Sequence, residues 1–309
     1  MDIRFDNKVA IITGAGAGLG RSYGLFLASR GAKVVLNDLG TSGDGIGRSE
    51  TQAQLVADEI KAVGGKAVAN FDSVAEVEGA QRIVDDALKH FGTVDILINN
   101  AGILRDKTFL RMPLEDFELV LRVHLLGTVY VTRAAFPVMK EKSYGRIVMT
   151  TSVAGLFGNF GQTNYSAAKL GIVGFMNSLK LEGEKYNIFI NTVAPLAATR
   201  LAGPSGIFRE ELVPLLKPEL VAPLVAYLCS EQCRTTGDII CAGGGYYAKV
   251  QVVEGRGIRL SLEQEITPEM IAEKYSEISK MERAVGFRST KDELGVVLGP
   301  LMKVMKTKD

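Results

Sequence analysis

Three side chains in the middle of the chain are of types that can move a proton at an oxygen atom. Tyr165 and Lys169 are four positions apart, so on a helix they share one face, and Ser152 lies thirteen residues before Tyr165. A free tyrosine has a pKa near ~10, and a neighbouring ammonium group lowers that pKa because it favours the phenolate. A serine hydroxyl can hold a carbonyl or alcohol oxygen in place. The trio therefore predicts proton transfer at an oxygen whose carbon gains or loses hydride.

A second group of residues, near the N-terminus, has the spacing of a turn that binds a nucleotide. Gly14, Gly18 and Gly20 follow the apolar segment Val9–Thr13 and lead into a helical pattern. Glycine allows a tight turn and a close approach to a pyrophosphate, and the first N–H groups of a helix attract an anion. We therefore expect the three glycines, with Leu19 at the helix start, to bind the phosphates of a dinucleotide.

Asp38 is the residue that points to the identity of this nucleotide. It lies eighteen positions after Gly20, at the predicted end of the second strand. A carboxylate at this place accepts hydrogen bonds from an adenosine ribose and repels the 2′-phosphate of NADP. Asp38 could instead cap a turn, but the position favours NAD as the cofactor.

Two further strand ends carry polar or small residues that would face the same ligand. Asp72 and Ser73 follow the third predicted strand, and Asn99 and Gly102 belong to the segment that ends the fourth. Ligands of open α/β sheets bind at the carboxyl ends of the strands. We expect Asp72 to meet the adenine amino group and Ser73 to offer a backbone N–H. Asn99 and Gly102 would allow close contact with the cofactor, although each of the four could be an ordinary turn residue.

The elements that must position these residues follow an alternating pattern. Apolar segments alternate with amphipathic helical segments, and we count seven strands up to about residue 245. This order predicts an α/β fold, a doubly wound seven-stranded parallel sheet of the Rossmann type over residues 1–245. A long helix over 114–140 should bend or contain a break. Residues 246–309 leave the pattern and form a C-terminal extension, with a helix starting at Thr267-Pro268, that we expect to cover the substrate pocket or a subunit interface.

The composition excludes several other kinds of site and partner. The chain has 309 residues, 47% of them hydrophobic, and a formal net charge of +1. Such a chain is not of the basic type that binds nucleic acid or an anionic membrane, and its apolar runs are shorter than the ~20 residues that span a bilayer. Two histidines and three cysteines predict no metal site. The polar N-terminus lacks a signal-peptide pattern, which predicts a cytoplasmic location.

The combined motifs resemble the short-chain dehydrogenase/reductase family. They are Thr13-Gly-x-x-x-Gly-x-Gly, Asn99-Asn-Ala-Gly, Ser152 and Tyr165-x-x-x-Lys169, in this order. The resemblance implies an NAD(P)-dependent oxidoreductase with Tyr165 as general acid or base and Ser152 orienting the substrate oxygen. It also implies that Lys169 lowers the pKa of Tyr165 and holds the nicotinamide ribose. Ala197 and Thr199 fall where the family contacts the nicotinamide amide.

Several segments are similar to one branch of that family, the (3R)-hydroxyacyl-CoA dehydrogenase unit of peroxisomal multifunctional enzymes. The segments include Asn37-Asp-Leu-Gly40, Gly158-Asn-Phe-Gly-Gln162 and Arg122-Val-His-Leu125. His124 stands where many family members have a catalytic Asn, and it could relay a proton or hold a helix bend. The branch implies NAD-dependent oxidation of an acyl-CoA substrate, and a peroxisomal location if the chain is a piece of a larger enzyme.

Membership of this family would be compatible with other substrates and with a non-catalytic role. A hydroxysteroid dehydrogenase and a 3-ketoacyl carrier-protein reductase using NADPH are alternatives within it, although Asp38 argues against NADPH. A nucleotide-binding scaffold without catalysis is a remote alternative, because Ser152, Tyr165 and Lys169 occur together. The family also implies a homo-oligomer, a dimer or a tetramer.

Overall fold

The predicted apolar segments form the strands of one sheet in the computed structural model, which describes residues 2–199 and 210–306. Parallel strands are covered on both faces, so they are built from continuous apolar runs, and β1 is buried along its whole length. The strands are β1 Val9–Thr13, β2 Lys33–Asn37, β3 Lys66–Asn70, β4 Ile96–Asn99, β5 Gly145–Thr150, β6 Ile188–Pro195, β7 Ile239–Gly243 and β8 Tyr246–Val250.

The strand order is β3-β2-β1-β4-β5-β6-β7-β8, which confirms the doubly wound sheet. β1 pairs in parallel with both β2 and β4, so the chain reverses its direction of winding between β1 and β4. Ligands of such sheets bind in the crevice at that reversal. The sheet has one strand more than the seven predicted. β8 follows β7 through Gly244-Gly245, whose φ angles are 56° and 80°. Two-residue turns with two positive φ angles typically join antiparallel strands.

Helices cover both faces of this sheet. The helices α1, α2 and α8 pack together over one face, and α3, α5 and α7 lie over the other. The helices are α1 Gly18–Ser29, α2 Thr51–Ala62, α3 Val77–Phe91, α4 Leu114–Leu121, α5 Gly127–Glu141, α6 Val153–Phe157, α7 Thr163–Gly183, α8 Ala222–Cys229, α9 Pro268–Ile278 and α10 Thr290–Lys306.

The break expected in the long helix is a single π-helical segment. Arg122–Leu126 separates α4 from α5, and His124 lies in the middle of it. A π-helical turn contains about one residue more than an α-helical turn, so the side chains that follow it are rotated around the helix axis. Single π-helical turns of this kind often occur at functional sites. The sequence predicted a break here but not its π geometry.

Within the described part of the chain, two helical stretches are long and apolar enough to cross a membrane by length and composition. They are Leu114–Glu141 and Glu211–Cys229. Core helices of soluble proteins pass the same test, and Val120, Val131 and Ala135 of the first stretch are fully buried within the domain. Length and hydropathy are therefore a weak indication of a membrane segment here.

The chain divides into two compact units, residues 1–249 and 250–309. The second unit contains α9, whose start follows the sequence prediction. Thr267 is the N-cap, with Oγ1 accepting a hydrogen bond from Met270 N at 3.4 Å, and Pro268 occupies the first turn. The proposed role of this extension, as a cover of a pocket or a subunit interface, stays a prediction.

Candidate active site

The glycine turn between β1 and α1 is too tightly packed for side chains. Gly14 and Gly18 have φ of 65° and 53°, in the left-handed region that favours glycine. A Cβ on Gly20 would lie 2.1 Å from Gly14 O, and one on Gly14 would lie 2.8 Å from Ala101 Cα. α1 starts at Gly18 after Ala17, which offers no side-chain cap, so the first N–H groups of the helix can bind an anion.

Asp38 is fixed beside this turn. Its carboxylate accepts hydrogen bonds from Gly16 N at 2.8 Å and from Gly40 N at 2.7 Å. A Cβ on Gly16 would lie 2.8 Å from Asp38 Oδ2. Each carboxylate oxygen has lone pairs beyond these bonds. Asp38 can therefore accept the two hydroxyls of a ribose while the backbone holds it in place.

A solvent-connected cavity runs along the carboxyl ends of β1, β2, β3 and β4. Asp38 and the glycine turn both contribute to its wall. Its lining residues are Gly14, Ala17, Gly18, Leu19, Asn37, Asp38, Leu39, Thr41, Ser42, Gly43, Gly45, Asp72, Ser73, Val74, Ala75, Asn100, Ala101, Gly102, Ile103, Leu119, Val123 and Thr199. The structure thus brings most of the predicted cofactor residues to one cavity.

Asp72 and Ser73 lie at the far end of this cavity. Asp72 is paired with Arg82 Nε at 2.6 Å and accepts from Asn70 Nδ2 at 2.9 Å. These partners orient the carboxylate, which still has acceptor capacity for an adenine amino group. The Ser73 hydroxyl accepts from Ala75 N at 3.2 Å. The adenine contacts stay predictions.

The side chains of Asn99 and Asn100 lie on different sides of the end of β4, and the cofactor contact predicted for Asn99 stays a prediction. Asn99 is 4% exposed and donates to Thr132 Oγ1 at 2.9 Å, away from the cavity. Asn100 lines the cavity, and its Nδ2 donates to both Thr13 O and Gly14 O at 3.1 Å. Successive side chains at a strand end point to opposite faces, and the sequence alone did not show which amide faces the ligand. Asn99 therefore supports the helix layer, and Asn100 fixes the glycine turn.

Gly102 and His124 form a close contact next to Tyr165. A Cβ on Gly102 would lie 2.2 Å from His124 Cε1. His124 Nε2 lies 3.0 Å from Ile103 N and 2.7 Å from Ile103 O, and its ring meets that of Tyr165 edge-on at 5.1 Å. Nδ1 is buried without a hydrogen-bond partner among the described residues. Burial lowers the pKa of His124 well below its usual value, so the imidazole is neutral.

Ser152 and Tyr165 meet across the ends of two helices. Ser152 caps α6, where its Oγ accepts from Ala154 N at 3.2 Å, and Tyr165 lies in the first turn of α7. Burial raises the pKa of Tyr165, and the interaction with the nearby Ser152 hydroxyl lowers it by less. Burial by the surrounding elements thus opposes the lowering of the Tyr165 pKa that the sequence predicts, and that lowering by Lys169 stays a prediction.

Lys169 is held beneath Tyr165 by the end of β5. It is 3% exposed, and its Nζ donates to Thr150 O at 2.7 Å and lies 5.5 Å from the centroid of the Tyr165 ring. Burial lowers the pKa of Lys169 to about 7. The ammonium group is thus only partly protonated at neutral pH, and a ligand that adds hydroxyl acceptors would shift this balance.

The segment after β6 reaches back to the glycine turn. The Thr199 Cγ2 atom would lie 3.2 Å from a Cβ on Gly18, and Thr199 lines the cavity. Ala197 is 7% exposed and belongs to the hydrophobic core rather than to the cavity wall. Thr199 is therefore placed for a cofactor contact, whereas the Ala197 side chain supports the segment from below.

Two further observations concern metal-binding side chains and the cations close to the cavity. No group of three or more His, Cys, Asp or Glu side chains that could hold a metal ion occurs in residues 2–199 and 210–306. Arg105 and Lys107, which follow Gly102 in the segment after β4, both pair with Asp116, at 2.6 and 3.2 Å. These two cations are therefore part of the framework around the cavity.

Comparison with known proteins gives consistent matches along the chain. The family described as short chain dehydrogenase matches residues 8–203. The peroxisomal multifunctional enzyme type 2 of Drosophila melanogaster is 45% identical over 304 residues, covering 98% of this chain and 50% of the relative. A short-chain type dehydrogenase/reductase of Mycobacterium tuberculosis is 48% identical, covering 91% of this chain and 98% of that protein. A 3-oxoacyl-[acyl-carrier-protein] reductase of Aquifex aeolicus is 38% identical, covering 80% and 100%.

Two solved structures share the fold. The full-length multifunctional enzyme type 2 of Drosophila melanogaster superposes with a TM-score of 0.83 at 39% identity, over 98% of this chain and 51% of that one. A 7α-hydroxysteroid dehydrogenase complexed with NADH and a 7-oxo bile acid has a TM-score of 0.70 at 29% identity, over 78% and 95%. This chain spans about half the length of the Drosophila relative.

Proposed function

Because the chain belongs to the short-chain dehydrogenase/reductase family, and is therefore a nucleotide-dependent oxidoreductase, we propose that it oxidises a (3R)-3-hydroxyacyl-CoA to the 3-ketoacyl-CoA with NAD+. The observation that carries the substrate is the similarity to the multifunctional enzyme over 98% of the chain. Ser152, Tyr165 and Lys169 supply the proton chemistry this reaction needs. Asp38 supplies the preference for NAD.

The side chains divide the oxidation between them. Ser152 Oγ donates a hydrogen bond to the C3 oxygen of the substrate and fixes its position. Tyr165, as phenolate, accepts the proton of the C3 hydroxyl while the C3–H bond breaks and its electron pair leaves as hydride. NAD+, which the glycine turn and Asp38 would hold, would supply the acceptor for that hydride. General base catalysis of this kind contributes roughly 10²–10⁴-fold.

Lys169 and His124 control the protonation of Tyr165 in this scheme. A protonated Lys169 near the ring favours the phenolate, and hydroxyls of the nicotinamide ribose would hold its Nζ in the charged form. The neutral His124 keeps the break between α4 and α5 in place through Ile103, and its unpaired Nδ1 can take part in a proton relay. Both roles are part of the proposal.

Exposed apolar side chains near the catalytic groups suit an acyl chain. Phe109 and Leu110 follow β4, and Phe157 and Phe160 follow β5, with exposures of 67, 95, 72 and 89%. The two loops are joined where Lys107 N donates to Gly161 O at 2.9 Å. Large exposed apolar side chains on neighbouring loops usually mark a binding surface.

A panel of substrates tests the proposal directly. We expect the enzyme to reduce NAD+ with (3R)-hydroxyacyl-CoA, followed at 340 nm, and to leave the (3S) isomer and hydroxysteroids almost unused. Tyr165→Phe should lower this turnover by about 10²–10⁴-fold while binding of NADH is retained. Turnover of only the (3S) isomer would refute the substrate, and full activity of Tyr165→Phe would refute the mechanism.

The second candidate is a 3-ketoacyl carrier-protein reductase. It is favoured by the Aquifex relative, which this chain covers over its full length. Asp38 distinguishes the two, because its carboxylate would repel the 2′-phosphate of NADPH. Fluorescence titration with NADH and NADPH separates them, since tighter binding of NADPH would favour the reductase.

The proposal extends to the assembly of the protein and to its location. A homodimer or homotetramer is expected, and exposed Leu170 and Leu181 on α7 give such an interface apolar area. The multifunctional relatives are named as peroxisomal, which favours a peroxisomal location over the cytoplasmic one that the sequence predicted. Size-exclusion chromatography with light scattering would determine the oligomeric state.

A further inference from the structure

The loop between β2 and α2, residues 39–50, forms one wall of the cofactor cavity. Leu39, Ser42, Gly43 and Gly45 of this β2–α2 loop line the same cavity as Asp72 and Ser73. The loop returns on itself where Ser49 N donates to Leu39 O at 3.1 Å. Its tip, residues 42–46, contacts the segment that follows β4.

Three contacts join the loop tip to the segment after β4. Arg105 Nε donates to Asp44 O at 2.8 Å, and Leu104 N donates to Gly43 O at 2.9 Å. A Cβ on Gly45 would lie 3.1 Å from Ile103 Cδ1, so the two segments are in van der Waals contact. Of the two hydrogen bonds, the one from Arg105 is made by a side chain, and a substitution can therefore remove it.

Arg105 is itself held by the buried carboxylate of Asp116 on α4. Its Nη1 donates to Asp116 Oδ1 at 2.6 Å, and Asp116 is 7% exposed. The guanidinium group is planar, with donors in a fixed fork, so it serves Asp44 O and Asp116 at once. A lysine ammonium group is a single point on a flexible stem and would keep the ion pair but not both contacts.

The same segment is fixed on its other side to the start of α7. Asn164 Nδ2 donates to Arg105 O at 3.0 Å, and Asn164 Oδ1 accepts from Tyr165 N at 2.7 Å. Gln162 Nε2 donates to Asp106 Oδ2 at 2.6 Å. Arg105 therefore lies between a rigid anchor at the catalytic tyrosine and the tip of the β2–α2 loop.

We propose that Arg105 is a positioning residue that holds the β2–α2 loop closed over the adenosine half of the bound dinucleotide. The inference rests on the proposed dinucleotide site but not on the identity of the alcohol substrate. Arg105 acts through Asp44 O and touches no reacting atom. Loss of the contact should therefore affect cofactor affinity and leave the chemical step unchanged.

The test measures binding of ADP-ribose, which lacks the nicotinamide, by calorimetry to Arg105→Lys, Arg105→Met and Lys107→Met. Lys107 pairs with the same carboxylate but lies outside the contacts that join the loop tip, so it is the matched control. We expect both Arg105 variants to bind ADP-ribose about 10-fold more weakly, as for one lost hydrogen bond from a charged donor. Lys107→Met should bind as the unmodified protein does.

Kinetics and exchange complete the test. KM for NAD+ should rise by a similar factor of about 10 in Arg105→Lys, with kcat at saturating NAD+ unchanged, because the tyrosine anchor is intact. Amide exchange at residues 42–46 should become faster. Wild-type affinity for ADP-ribose in Arg105→Lys would overturn the inference, since charge alone would then suffice. A fall in kcat with unchanged affinity would also overturn it. Failure of the unmodified protein to bind ADP-ribose would refute the dinucleotide site as well.

Discussion

Substitution of Gly102 by alanine tests the packing that places His124 beside Tyr165. The new Cβ would lie 2.2 Å from His124 Cε1, 2.9 Å from Nδ1 and 3.1 Å from Nε2. The ring is bound to Ile103 through Nε2, so it cannot move away without losing that contact. Overpacking of a buried site usually costs about 1–3 kcal/mol, and we expect a loss of this size in the free energy of unfolding.

A double-mutant cycle with His124→Ala identifies the colliding group. If the imidazole causes the strain, Gly102→Ala should cost about 1–3 kcal/mol in the unmodified protein and almost nothing in His124→Ala. The assay is reversible denaturation in urea, with NADH affinity measured in parallel. NADH binding should stay weakened in both backgrounds, because Gly102 also lines the cofactor cavity.

The cycle can refute the proposed packing. Equal costs of Gly102→Ala in the two backgrounds would show that His124 is not the neighbour that excludes a side chain. An unchanged stability of Gly102→Ala would show that the break between α4 and α5 adapts without strain. Either result would mean that the imidazole does not require glycine at position 102.

Three further outcomes follow from the site. Asp38→Asn should weaken NADH binding about 10-fold relative to NADPH in a fluorescence titration, and an unchanged ratio would contradict the ribose contact. Tyr165→Phe should lower kcat by about 10²–10⁴-fold with NADH affinity nearly unchanged, measured by steady-state kinetics and titration. Lys169 has a pKa lowered to about 7, so the unfolded chain binds more protons than the folded one between about pH 7 and its ordinary value of 10.5. Folded-state stability should therefore rise with pH across that window, and Lys169→Met should remove this rise in urea denaturation of the unliganded protein.

The local features of the site could be predicted from the sequence. The glycine spacing determines the turn, because close backbone approach requires residues without a Cβ at Gly14 and Gly20. The four-residue spacing places Tyr165 and Lys169 on one face of α7, since helix geometry is fixed by local bonds. Alternation of apolar runs and helices likewise predicted seven of the eight strands.

Other features depended on contacts between segments that are distant in sequence. Which amide of Asn99 and Asn100 faces the cavity depends on how β4 lies against β1 and the helix layer. The direction in which the pKa of Tyr165 shifts depends on burial by the surrounding elements. The spacing of residues in the sequence does not encode that burial.

The sequence by itself thus determined the family, the order of the elements and the candidate catalytic groups, because motifs and periodicity are properties of neighbouring residues. The tertiary structure alone decided the electrostatics of Tyr165 and Lys169, the contact of His124 with Gly102, and the bond between Arg105 and the β2–α2 loop. Each of these depends on distances between segments that only the folded chain brings together.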